Sequence, residues 1–520
     1  MYRQRGWCVQ ALLIGLFVLM FAVFSAGADS REALQKAASL IQQGKLDEAD
    51  QQAQLALSDP QTRAGACSVL GSIRFQQKRF AESASLLKEA IRLEPHLVGA
   101  HLNLAEVYVV QGKPALALPL YRQVLTLDPS NATAILALAR SETEKGHYKE
   151  SLEIARPALR ALKESPDGLF MLATNYLMTG DRASAAGLAN DWMRLSGTPA
   201  DWSMEFALLL ARNGVVPEAI DILEGIKEKG LPTYELAFNL AGMYSLEKHW
   251  SLALDAYDQA LSLNPNALPA YRQAAGTAEQ QGKLERALSY WMRAKKLEPD
   301  DPEILKGFGR VCLKMDLLDD AEPALAKAAT LRPADPSYQY LLAAVKVGKK
   351  QFEAAQTLLD GLLKQKPSDP QLQYAVGSVL YLQGHLDDAE RHLRESVRLQ
   401  PNQLAPYYYL GLVSRDQGHD EEAIRTLEEL LKRYPDHAAS CEVLGSLLMN
   451  AQRYPEAESR LEEAVRLNPQ SVKANYQLGL LLNRIGKKEE AEKRLELAKS
   501  LRTEDQAHSR LQFRLLDPDQ

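Results

Sequence analysis

The sequence predicts an all-α protein, an α-solenoid of about fourteen helix-turn-helix repeats, and three periodic observations predict it. Nine prolines share one ruler. Pro129 lies 34 residues after Pro95 and four periods before Pro265, and Pro265, Pro299, Pro333, Pro367, Pro401, Pro435 and Pro469 follow at steps of 34. At the place 24 residues before each mark, all fourteen residues are Gly or Ala, from Ala37 and Gly71 to Gly445 and Gly479. At the place 12 before, all fourteen are Ala or Ser, from Ala49 and Ser83 to Ala457 and Ala491. A fixed period of this length means small units that bury their apolar faces only against their neighbours. Small residues recur where helix backbones come close, because larger ones would be overpacked.

The first element is a leader, residues 1–28. Arg3 and Arg5 make a positive start, Ala11 to Phe24 is an apolar run of 14, and Ala26-Gly27-Ala28 offers a small-x-small cleavage site. This is the pattern of a secretory signal peptide. The run is shorter than the roughly 20 residues a spanning helix needs. The alternative is an uncleaved anchor formed by residues 6–24. Either way the repeats are expected outside the cytoplasm, periplasmic or secreted, and a membrane is met only through this segment.

The repeats then run from Ser30 to about Asp505, each beginning 34 residues after the last. In the one that starts at Leu268, Tyr271, Ala275 and Ala278 share a helical face, and Gln281-Gly282-Lys283 breaks the helix. Leu284 to Leu297 forms a second helix with Ala287, Trp291 and Ala294 on one side. Pro299 follows it, since proline cannot continue a helix. The turn glycine recurs at Gly44, Gly112, Gly146, Gly180, Gly214, Gly384, Gly418 and Gly486.

Two stretches, Leu102 to Pro129 (LNLAEVYVVQGKPALALPLYRQVLTLDP) and Tyr408 to Pro435 (YYLGLVSRDQGHDEEAIRTLEELLKRYP), carry small, aromatic, Gly, Ala and Pro marks in a set order. In these the chain resembles the tetratricopeptide repeat family, over nearly all of the sequence after the leader. The resemblance implies antiparallel helix pairs stacked into a right-handed superhelix, with the first helix of each pair lining a concave groove.

Regular repeats are expected over 30–165 and 234–505. Between them, 166–233 departs from the pattern: Lys163, Gly197 and Leu231 stand where proline is due, and Trp192 and Trp202 are in unusual places. This stretch is either a bend between two arrays or ordinary drift. Pro157 falls inside a second helix and predicts a kink. Residues 506–520 place Ala507, Leu511 and Leu515 on one face, which suits a closing helix over the last apolar surface.

Composition excludes several functions. The net charge of −6 gives no basic excess for nucleic acid. Cys67, Cys312 and Cys441 are far apart and fall in first helices, as buried thiols rather than a disulfide framework or metal cluster. No phosphate-binding loop, nucleophile elbow or zinc-protease motif occurs, and Gly307-Phe308-Gly309 is a register feature. His147, His249, His385 and His419 all follow the turn between helices, with no third ligand evident beside any of them. Asp420, Glu421 and Glu422 complement a helix N-terminus. The repeats leave no room for a catalytic domain of about 100 residues, so no enzyme and no cofactor is expected.

The fifth residue of each repeat faces the groove in the family. There Tyr340, Tyr374 and Tyr408 form a ladder in three consecutive repeats, with Tyr381 two turns along from Tyr374. Arg272, Lys306, Arg310 and Lys314 form a basic stretch beside it, and Phe238 occupies the fifth place of an earlier repeat. Tyrosine and arginine are common anchors of binding surfaces. The alternative is that the tyrosines pack between adjacent first helices. The expectation is a non-catalytic scaffold that binds protein or peptide segments bearing aromatic and acidic groups. The alternative is a periplasmic component of a polysaccharide synthesis or export machine, since aromatic ladders also stack on sugars.

Overall fold

The computed structural model describes residues 28–230 and 232–505. Residues 1–27 of the leader, Leu231 and the expected closing helix at 506–520 lie outside the described residues. Fourteen consecutive helical hairpins fill the rest, from Ala28–Gln42 with Leu46–Leu55 to Val472–Arg484 with Lys488–Asp505. The described residues contain no strand. No helix among them is long and apolar enough to cross a membrane. We number the repeats 1 to 14, with repeat 1 beginning at Ser30. The chain divides into two compact units, Met1–Ala256 and Tyr257–Gln520.

The residue that closes one repeat caps the first helix of the next. Asn131, Ser165, Thr233, Asp301, Asp335, Asp369 and Ser471 each accept a hydrogen bond from a backbone N–H two or three residues on. Such caps satisfy donors that the helix cannot, each contributing about 1 kcal/mol. Proline at the first helical position suits the same end, as at Pro302, Pro336 and Pro370. The turn inside each hairpin is left-handed at the expected glycines, with φ from 71° at Gly112 to 87° at Gly486. The same place is left-handed in the remaining five repeats, where Lys78, Lys248, Asp316, Lys350 and Gln452 carry φ near 60°. Hairpin geometry therefore overrides residue preference there.

The two small-residue registers meet inside each hairpin. Ser83 Oγ donates to the Gly71 carbonyl at 2.7 Å, and Ser151 Oγ to the Ala139 carbonyl at 2.7 Å. A Cβ on Gly411 would lie 2.7 Å from Leu427 Cδ2, and Gly377 and Gly445 face Leu393 and Leu461 in the same way. Glycine leaves room for the leucine of the opposite helix.

The degenerate stretch is filled by aromatic side chains. Trp192 stacks on Phe206 with centroids 4.1 Å apart, and Phe170 meets both edge-on. Trp192 Nε1 donates to Ser203 Oγ at 3.0 Å, which satisfies its buried polar end. One apolar cluster runs from Ile135 to Ala253 through this stretch. The helix carrying Pro157 breaks as expected: Tyr148–Ala155 ends, Arg156–Ala158 is a 3₁₀ turn, and Leu159–Lys163 resumes. The break brings the Leu162 carbonyl so close to Gly168 that a Cβ there would overlap it.

Candidate partner-binding surfaces

The structure separates the nine residues singled out from the sequence. Phe238 belongs to the first compact unit, and the other eight to the second. Phe238 lies in the helix Tyr234–Leu246, half-buried, with its ring stacked on Tyr234 at 5.6 Å.

In the second unit the basic stretch is largely neutralised from within. Glu279 lies at the end of Leu268–Gln280 in repeat 8, its side chain only 6% exposed. Arg310, in Pro302–Lys314 of repeat 9, donates to it from Nε at 3.0 Å and Nη2 at 2.9 Å. Lys314 Nζ stands 3.7 Å away, and Trp291 Nε1 donates at 3.1 Å. A buried carboxylate needs such compensation. Arg272 pairs with Asp301, and Lys306 with Glu303 at 3.0 Å while lying over the Tyr338 ring. The expected affinity for acidic groups is thereby weakened: four cations face three carboxylates. Charge runs on one helix do not reveal a partner 31 residues earlier, which is why Glu279 escaped the sequence reading.

The tyrosine ladder is also divided. Tyr374 is 0% exposed and edges onto Tyr409 at 5.8 Å, so it is a core residue and not an accessible anchor. Its neighbours at Ala375, Val376 and Val379 are buried with it. The others keep a solvent face. Tyr340 is half-buried, its hydroxyl accepts from Gln371 Nε2 at 3.3 Å, and burial pushes its pKa up to about 12. Tyr408 edges onto Tyr409 and His437. Tyr381 donates to Asp416 Oδ2 at 2.8 Å, and Arg415 Nε donates to Asp416 Oδ1 at 2.7 Å. Burial and the Asp416 carboxylate raise the Tyr381 hydroxyl above its ordinary range. Burial would raise Asp416 too, but the hydrogen bonds from Arg415 and Tyr381 outweigh it and hold the carboxyl low. Arg415 and Asp416 carried no signal in the sequence beyond being charged.

Burial raises all three described thiols, Cys312 to about 12 and Cys441 to about 11, so they are poor nucleophiles. His147 is less isolated than the sequence suggested. Its Nδ1 lies 2.9 Å from Glu142 and 3.4 Å from Glu150. Lys145 Nζ sits 2.6 Å from Glu142, so a cation of the chain already occupies that carboxylate's field.

Four family models, each described as tetratricopeptide repeat, match residues 68–132 and 442–502, 110–166 and 313–379, 407–437, and 370–395. Together they cover more than half of the chain. Among curated proteins, the "Protein CTR9 homolog" of Arabidopsis thaliana is 22% identical over 288 residues, 53% of this chain and 26% of that protein. The chain thus spans about a quarter of that relative's length. Solved structures that resemble it include Cut9 in the APC/C hetero-tetramer Cut9-Hcn1 (14% identical, TM-score 0.40, covering 85% of this chain and 94% of that one). Yeast Tom70 is 16% identical with TM-score 0.39, covering 92% and 97%. MamA residues 41–end from Desulfovibrio magneticus RS-1 is 21% identical with TM-score 0.30, covering 33% and 96%. On its fourteen hairpins and these matched repeats, the chain belongs to the tetratricopeptide repeat family and is a protein-interaction scaffold.

Proposed function

We propose that this protein is an exported scaffold that holds a partner's peptide segment against the first helices of repeats 9 to 12. One observation carries the reading: Arg310, Tyr340, Tyr381 and Tyr408, on the first helices of four consecutive repeats, are half-buried and each keeps a solvent face. Core residues of the same helices, such as Val311, Ala344 and Val379, are at most 1% exposed. Rigid aromatic groups with a polar tip anchor partners at low entropic cost. Because the cations are internally paired, the partner gains more from apolar and hydrogen-bonding contact than from net charge.

Affinity capture tests this with the wild type and with Tyr340, Tyr381 and Tyr408 changed to alanine; Tyr374 stays native because it supports the core. Loss of a partner by the variant is expected, and equal recovery of every partner removes the proposal. A polysaccharide role predicts instead that sugar oligomers shift tyrosine fluorescence, and that Tyr408→Ala abolishes the shift. Export rests on the leader pattern in residues 1–28. It predicts a mature chain beginning at Asp29, read by N-terminal sequencing.

A further inference from the structure

A second surface lies in the first unit, on the first helices of repeats 5, 6 and 7: Pro166–Met178, Ala200–Arg212 and Tyr234–Leu246. Each helix repeats one arrangement. An acid in the first turn, Asp167, Asp201 or Glu235, is followed three residues on by Phe170, Met204 or Phe238. Residues three apart share a helix face. The three apolar side chains are half-buried, so each retains a solvent face. Phe170 reaches Phe206 of the next repeat at 5.3 Å, and Met204 Sδ lies 3.6 Å from Asn239 Nδ2 of the one after. Phe170 and Met204 thus each touch the first helix of the next repeat.

Further apolar groups stand exposed on the same helices. Met178 is 54% exposed, Leu246 67% and Trp202 41%. Exposed apolar side chains grouped on neighbouring helices mark interaction sites, and methionine adapts to varied partners. Charge supplies the other half. Residues 166–256 hold twelve Asp and Glu against six Lys and Arg, a net of −6 that equals the net charge of the whole chain. The rest of the molecule is balanced. Asp167 lies 3.7 Å from Arg140, but Asp201 and Glu235 have no basic group within ion-pair distance among the described residues. Helix dipoles account for an acid in each first turn. They do not account for the exposed apolar residues on the same helices, nor for a twofold excess of acids over the whole stretch.

We infer that this face docks a basic amphipathic segment of a partner protein, with Leu- or Phe-like anchors over Phe170, Met204 and Phe238 and Lys or Arg beside Asp201 and Glu235. Nucleic acids and anionic membranes are repelled by the same charge. Only Phe238 is shared with the residues expected from the sequence, and the tyrosine surface of the second unit plays no part.

Fluorescence anisotropy with the full chain tests this. The probe is a fluorescein-labelled 18-residue model peptide of leucine and lysine, with leucines at helical i, i+3, i+4 spacing. The control peptide has glutamate in place of every lysine. The lysine peptide is expected to bind at least tenfold more tightly. Asp201→Lys with Glu235→Lys is expected to weaken it at least tenfold, and Met204→Ser with Phe238→Ser similarly. If a charge-reversed variant fails to fold, Asp201→Asn with Glu235→Gln keeps the shape and is expected to weaken binding at least threefold. Tyr381→Ala with Tyr408→Ala is expected to leave it unchanged, which separates this surface from the function proposed above. Equal binding of both peptides overturns the inference. So does an equal loss in Asp387→Asn with Asp388→Asn, acids of repeat 11, because binding would then follow net charge alone.

Discussion

In the unit ending at Ala256, buried neutral groups join neighbouring repeats alongside a few ion pairs such as Arg74 with Asp50 at 2.7 Å, whereas in the unit beginning at Tyr257 ion pairs between repeats predominate. Asn175 is the clearest case of the first kind. It is buried, donates to Ser151 Oγ at 2.7 Å and accepts from Thr143 Oγ1 at 3.0 Å. Asn103 donates to Ser72 Oγ at 2.8 Å two joints earlier. In the second unit Lys349 reaches back to Asp319 at 2.8 Å and Glu322 at 2.6 Å, and Lys346 also pairs with Glu322. Arg394 pairs with Glu422 at 2.6 Å, Lys473 with Glu442 at 2.9 Å, and Lys487 with Glu458. One repeat geometry thus tolerates two kinds of joint. The difference lies in the polar groups beside the apolar registers: neutral ones are buried, as Asn175 is, while the ion pairs of the second unit keep part of their charge in solvent. It teaches that the apolar registers set the stacking, and that the rim is free to vary with function: acidic and apolar around Phe170 and Phe238, ion-paired and aromatic around Arg310 and Tyr408.

The comparison breaks first at its aromatic centre. Trp192→Ala removes a side chain that is 2% exposed and stacked on Phe206. A cost of about 3–5 kcal/mol is expected, since large-to-small changes lose both burial and packing. Urea unfolding measures it, and limited proteolysis of the variant is expected to cut within 135–253 before it cuts the second unit. Cleavage confined to the second unit would contradict the localised core.

In the second unit the sharper lesion is Gly411→Ala. The added Cβ meets Leu427, so Leu427 must shift, at a cost of about 1–3 kcal/mol. A midpoint equal to the wild type would show that the hairpin has slack there. The two units should respond alike at the hairpin turn. Lys248→Gly in the first and Lys350→Gly in the second each relieve a left-handed lysine, with φ of 59° and 58°. Each is expected to stabilise by about 0.5–1 kcal/mol, the relief of strain exceeding the added freedom of the unfolded chain.

The smallest effect separates the joints by pH and salt. Hydrogen bonds from Lys346 and Lys349 hold the Glu322 carboxyl below its ordinary value of 4.5. A depressed carboxyl stabilises the fold above its unfolded pKa and loses that contribution as pH falls through the folded one. Between pH 5 and pH 3 the wild type is therefore expected to lose more stability than Glu322→Gln, by less than about 1 kcal/mol for so exposed a pair. Added salt should shrink the difference. Parallel acid curves for the two proteins would show that the pair contributes nothing.

Much of this molecule is local, and local order is written in spacing. The hairpins, their glycine turns, the break at Pro157 and the two small-residue registers depend on neighbours within one 34-residue unit, where backbone sterics and helix periodicity decide. These were legible from prolines, glycines and alanines alone. Membership of a repeat family followed from the same spacing.

What lay beyond the sequence is contact between units of the repeat. Tyr374 and Tyr408 occupy the same register, yet one is sealed and the other half-open. Tyr409 of the next repeat meets Tyr374 edge-on, whereas Tyr408 meets its own neighbour Tyr409 and His437 of its own repeat. Arg310 reads as a free cation until Glu279 is found beside it, 31 residues earlier. Lys78, Lys248, Asp316, Lys350 and Gln452 adopt a glycine's conformation because the hairpin closes around them, against their own preference. Burial and pairing are sums over all surrounding atoms, and most of those atoms arrive from other repeats. Periodicity reports where a side chain points along its own helix; only the stacked neighbours decide whether it stays accessible.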